Sequence, residues 1–188
     1  ITVTATTAAD TLSVDDDTLN VNATANFADN FTVSATHSAD GDSTSTAYTL
    51  SIGAGATELV DTATGQAVVL SVDGGVVYGK TETGGDTVFT VSVSDAGVVT
   101  LDQQRVVKQG DTTSDSETTT LDAANLVVLT RTDTITDNDG DVRSDDASIN
   151  IGTALSFADS GPSITVTATT AADTLSVDDD TLNVNATA

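Results

Sequence analysis

The string ITVTATTAADTLSVDDDTLNVNATA at residues 1–25 returns unchanged at residues 164–188, a period of 163 with all 25 positions identical. A match of that length, in a stretch without any catalytic motif, marks tandem duplication. The sequence is therefore expected to hold one full repeat, 1–163, followed by the start of the next, 164–188. The sole proline, Pro162, stands in SGPS immediately before the second copy. Proline fixes its own φ and restricts the residue before it, so residues 159–163 read as a short, stiff linker. Either copy of the repeated segment can complete a unit. Residues 1–25 are assigned to the first because Gly161 and Pro162 then fall between units.

Between the copies, polar and apolar residues alternate at 1–7, 31–35, 48–52, 88–93 and 148–151, the signature of half-buried strands. Longer apolar runs at 67–72, 98–107 and 126–136 fit buried strands. Turn chemistry punctuates them: DGD at 40–42, DGG at 73–75, GG at 84–85, DAG at 95–97 and DNDGD at 137–141. Only residues 121–126 suggest a helical turn. The pattern predicts an all-β chain folded as an antiparallel β-sandwich.

Aromatic residues make up 3% of the chain, so the core is expected to consist of small aliphatic side chains. Burial is worth roughly 25 cal/mol per Å², and such a core is comparatively weak. The net charge is −24, with 29 acidic residues of which all but three are aspartate. That field argues against nucleic acid and anionic membrane as partners. Aspartate suits turns and the ligation of hard cations better than it suits helices. There is no cysteine, hence no disulfide framework or thiolate chemistry. No run approaches the roughly 20 apolar residues that cross a bilayer, so no direct membrane insertion is expected. Any targeting signal is expected to lie outside this sequence.

Two acidic clusters are candidate cation sites. One is Asp15, Asp16 and Asp17, repeated as Asp178, Asp179 and Asp180; the other is Asp137, Asp139 and Asp141 around Gly140. Hard cations take several oxygen ligands at 2.3–2.6 Å, and aspartates alternating on a tight glycine turn can converge on one ion. With Gly140 at the glycine position of an EF-hand loop, Asp137 and Asp139 fall on ligand positions and Asp146 on the last, but Ile135 occupies the first. The loop is no EF-hand, and aspartate-rich turns also serve simply to solvate hairpin ends. Consecutive aspartates on a strand would point to opposite faces, which weakens the first cluster.

Other chemistry finds little support. His37 is the only histidine, and no nucleophile elbow or oxyanion-hole signature accompanies it. Paired carboxylates abound, yet a glycan cleft usually presents aromatic platforms, and four Phe with two Tyr leave few. The alternating threonines of residues 1–7 are a single strand, too little for a flat ligand-binding array. The glycines match neither a phosphate-binding loop nor a calcium nonapeptide repeat. No enzymatic activity and no small-molecule substrate are expected.

Several stretches resemble the extender repeats of giant type I-secreted RTX adhesins of Gram-negative bacteria: LSVDDDTL at 12–19, ANFADNF at 25–31, DTATGQAVVLS at 61–71, LDAANL at 121–126, TITDNDGD at 134–141 and LSFADSGPSI at 155–164. Together they cover nearly the whole period. The family usually closes with two acidic residues before Gly-Pro, and Ser160 follows Asp159 in place of the second. The resemblance implies an immunoglobulin-like sandwich, outside the cell and on its surface, whose partners are neighbouring repeats of the same chain. It further implies folding and stiffening by Ca2+, with Asp159 at the junction among the candidate ligands, and a role as a spacer projecting adhesive domains for attachment and biofilm formation. The rival expectation is an adhesive module that itself grips glycan or a like module on another cell.

Overall fold

The computed structural model describes residues 1–7, 10–110, 116–161, 164–168, 176–177 and 179–180. Over these residues the chain is all-β, with short 3₁₀ turns and no α-helix. Thirteen strands follow in order: β1 Thr2–Ala5, β2 Leu12–Asp15, β3 Ala23–Asn26, β4 Phe31–Ser34, β5 Asp42–Ile52, β6 Val68–Asp73, β7 Val76–Thr81, β8 Thr87–Val93, β9 Val98–Gln103, β10 Ser116–Thr120, β11 Val127–Asp137, β12 Val142–Asn150 and β13 Leu155–Ser160. The expected helical turn is a single 3₁₀ turn, Ala124–Leu126. Pro162, Ser163 and Asp178 lie outside the described residues, so the linker is described only through Gly161.

The strands form a five-stranded sheet in the order β3-β9-β8-β7-β6, three-stranded sheets β12-β11-β5 and β10-β13-β2, and the pair β1-β4. One pairing departs from the expected antiparallel scheme. β13 runs parallel to β2, with Leu155 opposite Leu12 and Phe157 opposite Val14. A parallel pair needs a long crossover, and here almost the whole chain supplies it, so the second strand and the last share one ladder.

Local chemistry explains the turns. Asp73 pairs with Val76 at the end of the β6–β7 hairpin, leaving Gly74 and Gly75 as its two loop residues at φ 56° and 82°. Two left-handed residues make a primed turn, whose twist matches that of the flanking strands. β5 and β12 reach further than the sequence pattern predicts, to Asp42 and Val142, because both pair with β11 out to its tip at Asp137 and Thr136.

The sheets pack around one buried cluster. Alternation on β9 buries Val99, Leu101 and Gln103, and alternation on β11 buries Leu129, Asp133 and Ile135. The core is not built of aliphatic residues alone. All four phenylalanines are buried, and the rings of Phe89 and Phe157 lie 5.0 Å apart at a 55° tilt. Phe89 lies against Gly79 so closely that a Cβ there would collide with the ring, which is why a glycine interrupts β7.

One buried charge is paired. Asp61 is fully buried between β5 and β6, and the Arg105 guanidinium donates to both of its carboxylate oxygens at 2.9 Å. The backbone and hydroxyl of Thr64 donate to it as well, at 2.9 and 2.6 Å. These bonds, Arg105 foremost, hold the Asp61 carboxyl at about 2, below its ordinary 3.8. A depressed carboxyl adds stability above the unfolded value and loses it as pH falls through the folded one, a difference of about 2 kcal/mol here. Chemical denaturation of the native chain and of Asp61→Asn should therefore show a stability gap that is widest near neutrality and narrows by about 2 kcal/mol between pH 5 and pH 2.

Candidate metal centre

The β11–β12 hairpin ends in Asp137, Asn138, Asp139, Gly140 and Asp141. Gly140 takes a left-handed φ of 98°, and Asp137 closes the turn on itself. Its Oδ1 accepts from the backbone N–H of Gly140 at 3.1 Å and of Asp141 at 2.9 Å. This Asx-type closure curls the loop so that Asp137, Asp139 and Asp141 each offer a carboxylate oxygen within 4.8 Å of the others. The loop is anchored to the turn before β5: the Asn138 amide donates to Asp40 O, and its N–H donates to Gly41 O at 3.2 Å.

The carboxylates perturb one another. A hydrogen bond from Asp139 holds Asp137 below its ordinary value, and the same bond, with the charge of Asp137, pushes Asp139 up. The charge of Asp137 thus makes Asp139 the harder of the two to ionise. Asp42, in register with Asp137, adds a further carboxylate at this tip, held down chiefly by its bond to His37 at 2.9 Å. The Ser38 hydroxyl turns to Asp137 at 3.4 Å and not to the imidazole. Three carboxylate oxygens converging on this turn could hold a metal ion.

The second cluster is rearranged from its sequence expectation. Asp16 and Asp17 are not on a strand; they open a 3₁₀ turn, Asp16–Thr18, capped by Asp15, whose side chain accepts from the Asp17 N–H at 3.0 Å. Asp15, at the end of β2, accepts from the Ser160 hydroxyl at 3.1 Å. Burial pushes the Asp16 carboxyl up, the Ser160 backbone opposes this, and the charge of Asp159 adds to the rise. The parallel β2–β13 ladder thus gathers Asp15, Asp16 and Asp159 near the end of β13. Glu117, unnoticed in the sequence, pairs in register with Asp159, and its Oε2 is buried without a hydrogen-bond partner among the described residues. Asp17 is exposed and gives this group only its backbone.

Asp146 is not brought to the turn. It lies on β12 opposite Thr132, four residues from the hairpin end, about 13 Å along the strand from the turn. The strand continues straight where an EF-hand loop would curl back. Asp180 is exposed in a turn of the second copy.

Two open hollows, of about 500 and 440 Å³, lie elsewhere on the surface. Thr6, Thr11 and Asn150 contribute to the first and Ile52, Leu59 and Leu70 to the second, and neither is lined by an aromatic ring. Among the described residues no helix is long and apolar enough to cross a membrane.

Calorimetric titration with calcium should give binding that Asp139→Asn weakens at least about tenfold, since a hard-cation site is tuned by its count of charged ligands. Asp146→Asn should leave it unchanged.

Residues 11–152 match the family model described as Domain of unknown function (DUF5801). No curated protein and no solved structure matches the chain.

Proposed function

The chain belongs to this DUF5801 family, and we propose that it is an extender unit, one repeat of a long calcium-stiffened fibre on the outside of a Gram-negative cell. The observation that carries this reading is the unbroken 25-residue repeat at a period of 163. Repeats of that uniformity suit an array whose length matters more than the chemistry of any unit. The all-β fold and the resemblance of six stretches to RTX adhesin extenders support an immunoglobulin-like module whose neighbours are copies of itself.

Calcium enters as the counter-charge. Asp137, Asp139 and Asp141 would hold it at the hairpin tip, and Asp15, Asp16 and Asp159 would hold it where one repeat gives way to the next. Calcium at 100 times its dissociation constant adds roughly 2.7 kcal/mol per site to folding, because it binds the folded chain and not the unfolded one. A chain exported unfolded into a calcium-rich exterior would therefore fold after it leaves the cell. The rival reading, an adhesive module for glycan, finds no aromatic ring in either of the two hollows described among these residues.

Chains of one, two and four repeats, measured by small-angle X-ray scattering, should grow in maximum dimension by equal increments in calcium. In chelator the four-repeat chain should become measurably more flexible. Increments that vanish, leaving a compact four-repeat particle, would contradict the extender reading.

A further inference from the structure

β6 is an outer strand of the five-stranded sheet, paired with β7 alone. At its start the Val68 N–H donates to Leu59 O at 2.9 Å and its carbonyl accepts from the Thr57 hydroxyl, so Val68 turns its backbone away from β7. Backbone groups alternate along an antiparallel strand, and Leu70 and Val72 therefore face outward as well. Among the described residues neither has a backbone partner on that side. Val69 and Val72 are 43% and 41% exposed, and Leu70 borders the hollow that Ile52 and Leu59 also line. Such an edge is ordinarily blunted by charge, proline or brevity. The other outer strands are blunted or polar: β12 carries Arg143, Asp145 and Asp146, β10 carries Glu117, β5 reads STST over residues 43–46, and β1 to β4 have four residues each. β6 has no charge from Val68 to Val72.

We propose that the free edge of β6 pairs antiparallel with the same edge of a second copy of this chain, about a two-fold axis at Ser71. In that register Leu70 lies opposite Val72 of the second copy and Val72 opposite its Leu70, and each couple exchanges both of its N–H···O bonds. These apolar side chains meet on the face that holds the hollow beside Leu70, so the paired strand also covers exposed apolar surface. On the other face Val69 lies across from Asp73 of the second copy, and Lys80 stands on the far side of Val69, its register partner on β7. Two strand spacings, about 9.5 Å, separate the backbones of Lys80 and that Asp73, a gap that a lysine and an aspartate reaching toward each other span. One of the chain's few cations thus faces an aspartate on each side of the axis. This complementarity and the uncharged run select a second copy as the occupant, although the net charge of −24 opposes its approach elsewhere. Pairing of identical patches closes as a dimer. Between tandem arrays the contact would recur once per repeat and strengthen by multivalency. The pairing goes beyond the extender reading and holds for a single unit whatever the acidic turns bind.

The sequence has no cysteine, so an introduced thiol reports only on itself. Ser71→Cys stands on the two-fold opposite its own counterpart, at roughly 4.5 Å between Cα atoms, within the range of a disulfide. In Val69→Cys the two thiols lie roughly 13 Å apart along the paired strands, although Val69 is the more exposed residue. Oxidised with diamide at high concentration in physiological salt, Ser71→Cys should give a reducible dimer several-fold in excess over Val69→Cys. Adding Val72→Lys should remove that excess and leave the melting temperature nearly unchanged. Because this change lowers the net negative charge, the loss would belong to the strand edge and not to general repulsion. Sedimentation equilibrium of the native chain should likewise show a dimer that Val72→Lys abolishes. Equal cross-linking of the two cysteines would mean random collision and overturn the proposal. So would the absence of a dimer in every chain, or a dimer that Val72→Lys strengthens.

Discussion

Repulsion among 29 acidic side chains, set against five lysines and arginines, is the constraint that the rest of the structure accommodates. Two of the few cations are committed to the body of the fold. Arg105 is bound to buried Asp61, and Arg131 pairs with Asp133 at 2.6 Å while lying 5.7 Å from the Tyr48 ring centroid. Burial pushes Asp133 up, but Arg131 and Thr46 outweigh it and hold its carboxyl low. These pairs secure the body of the sandwich. Other aspartates collect at the tip of β11–β12, where Asp137 and Asp139 shift each other in opposite directions, and at the end of β13, where burial first and then the charge of Asp159 push Asp16 up.

Much of the fold was legible because turn chemistry is local. The Gly74-Gly75 turn and the strand that enters it, β6, follow from residue types alone, whereas β7, which leaves the turn, becomes a strand through its ladders to β6 and β8. β5 was legible only in its second half: Ser43 to Ala47 are exposed on both faces, so no alternation marks them, and only pairing with β11 makes them a strand. β10, with the sequence SETTT, has no apolar residue and exists through its ladder to β13. The parallel closure of β13 on β2 joins residues some 140 positions apart, and no local pattern encodes it.

The candidate sites divide in the same way. Asp137, Asp139 and Asp141 meet because the turn itself brings them together, and the sequence names all three. Asp15, Asp16 and Asp159 meet only through the β2–β13 ladder; the sequence supplies the residues and not their company. Asp146 was placed by analogy with a loop whose curvature this hairpin lacks. Asp42 and Glu117 escaped notice because each becomes a site residue only through its partner across a ladder, Asp137 in one case and Asp159 in the other. Asp61 gives no sequence signal at all, since nothing local distinguishes a buried aspartate whose arginine lies 44 residues away.

Coupling of folding to calcium through the acidic turns is tested most directly by thermal unfolding followed by circular dichroism and calorimetry. The melting temperature should be far higher in calcium than in excess chelator, with magnesium giving little of the gain because it resists giving up its waters to a flexible carboxylate turn. Identical unfolding in all three conditions would contradict that coupling and leave an ordinary sandwich whose aspartates serve only turns and solubility.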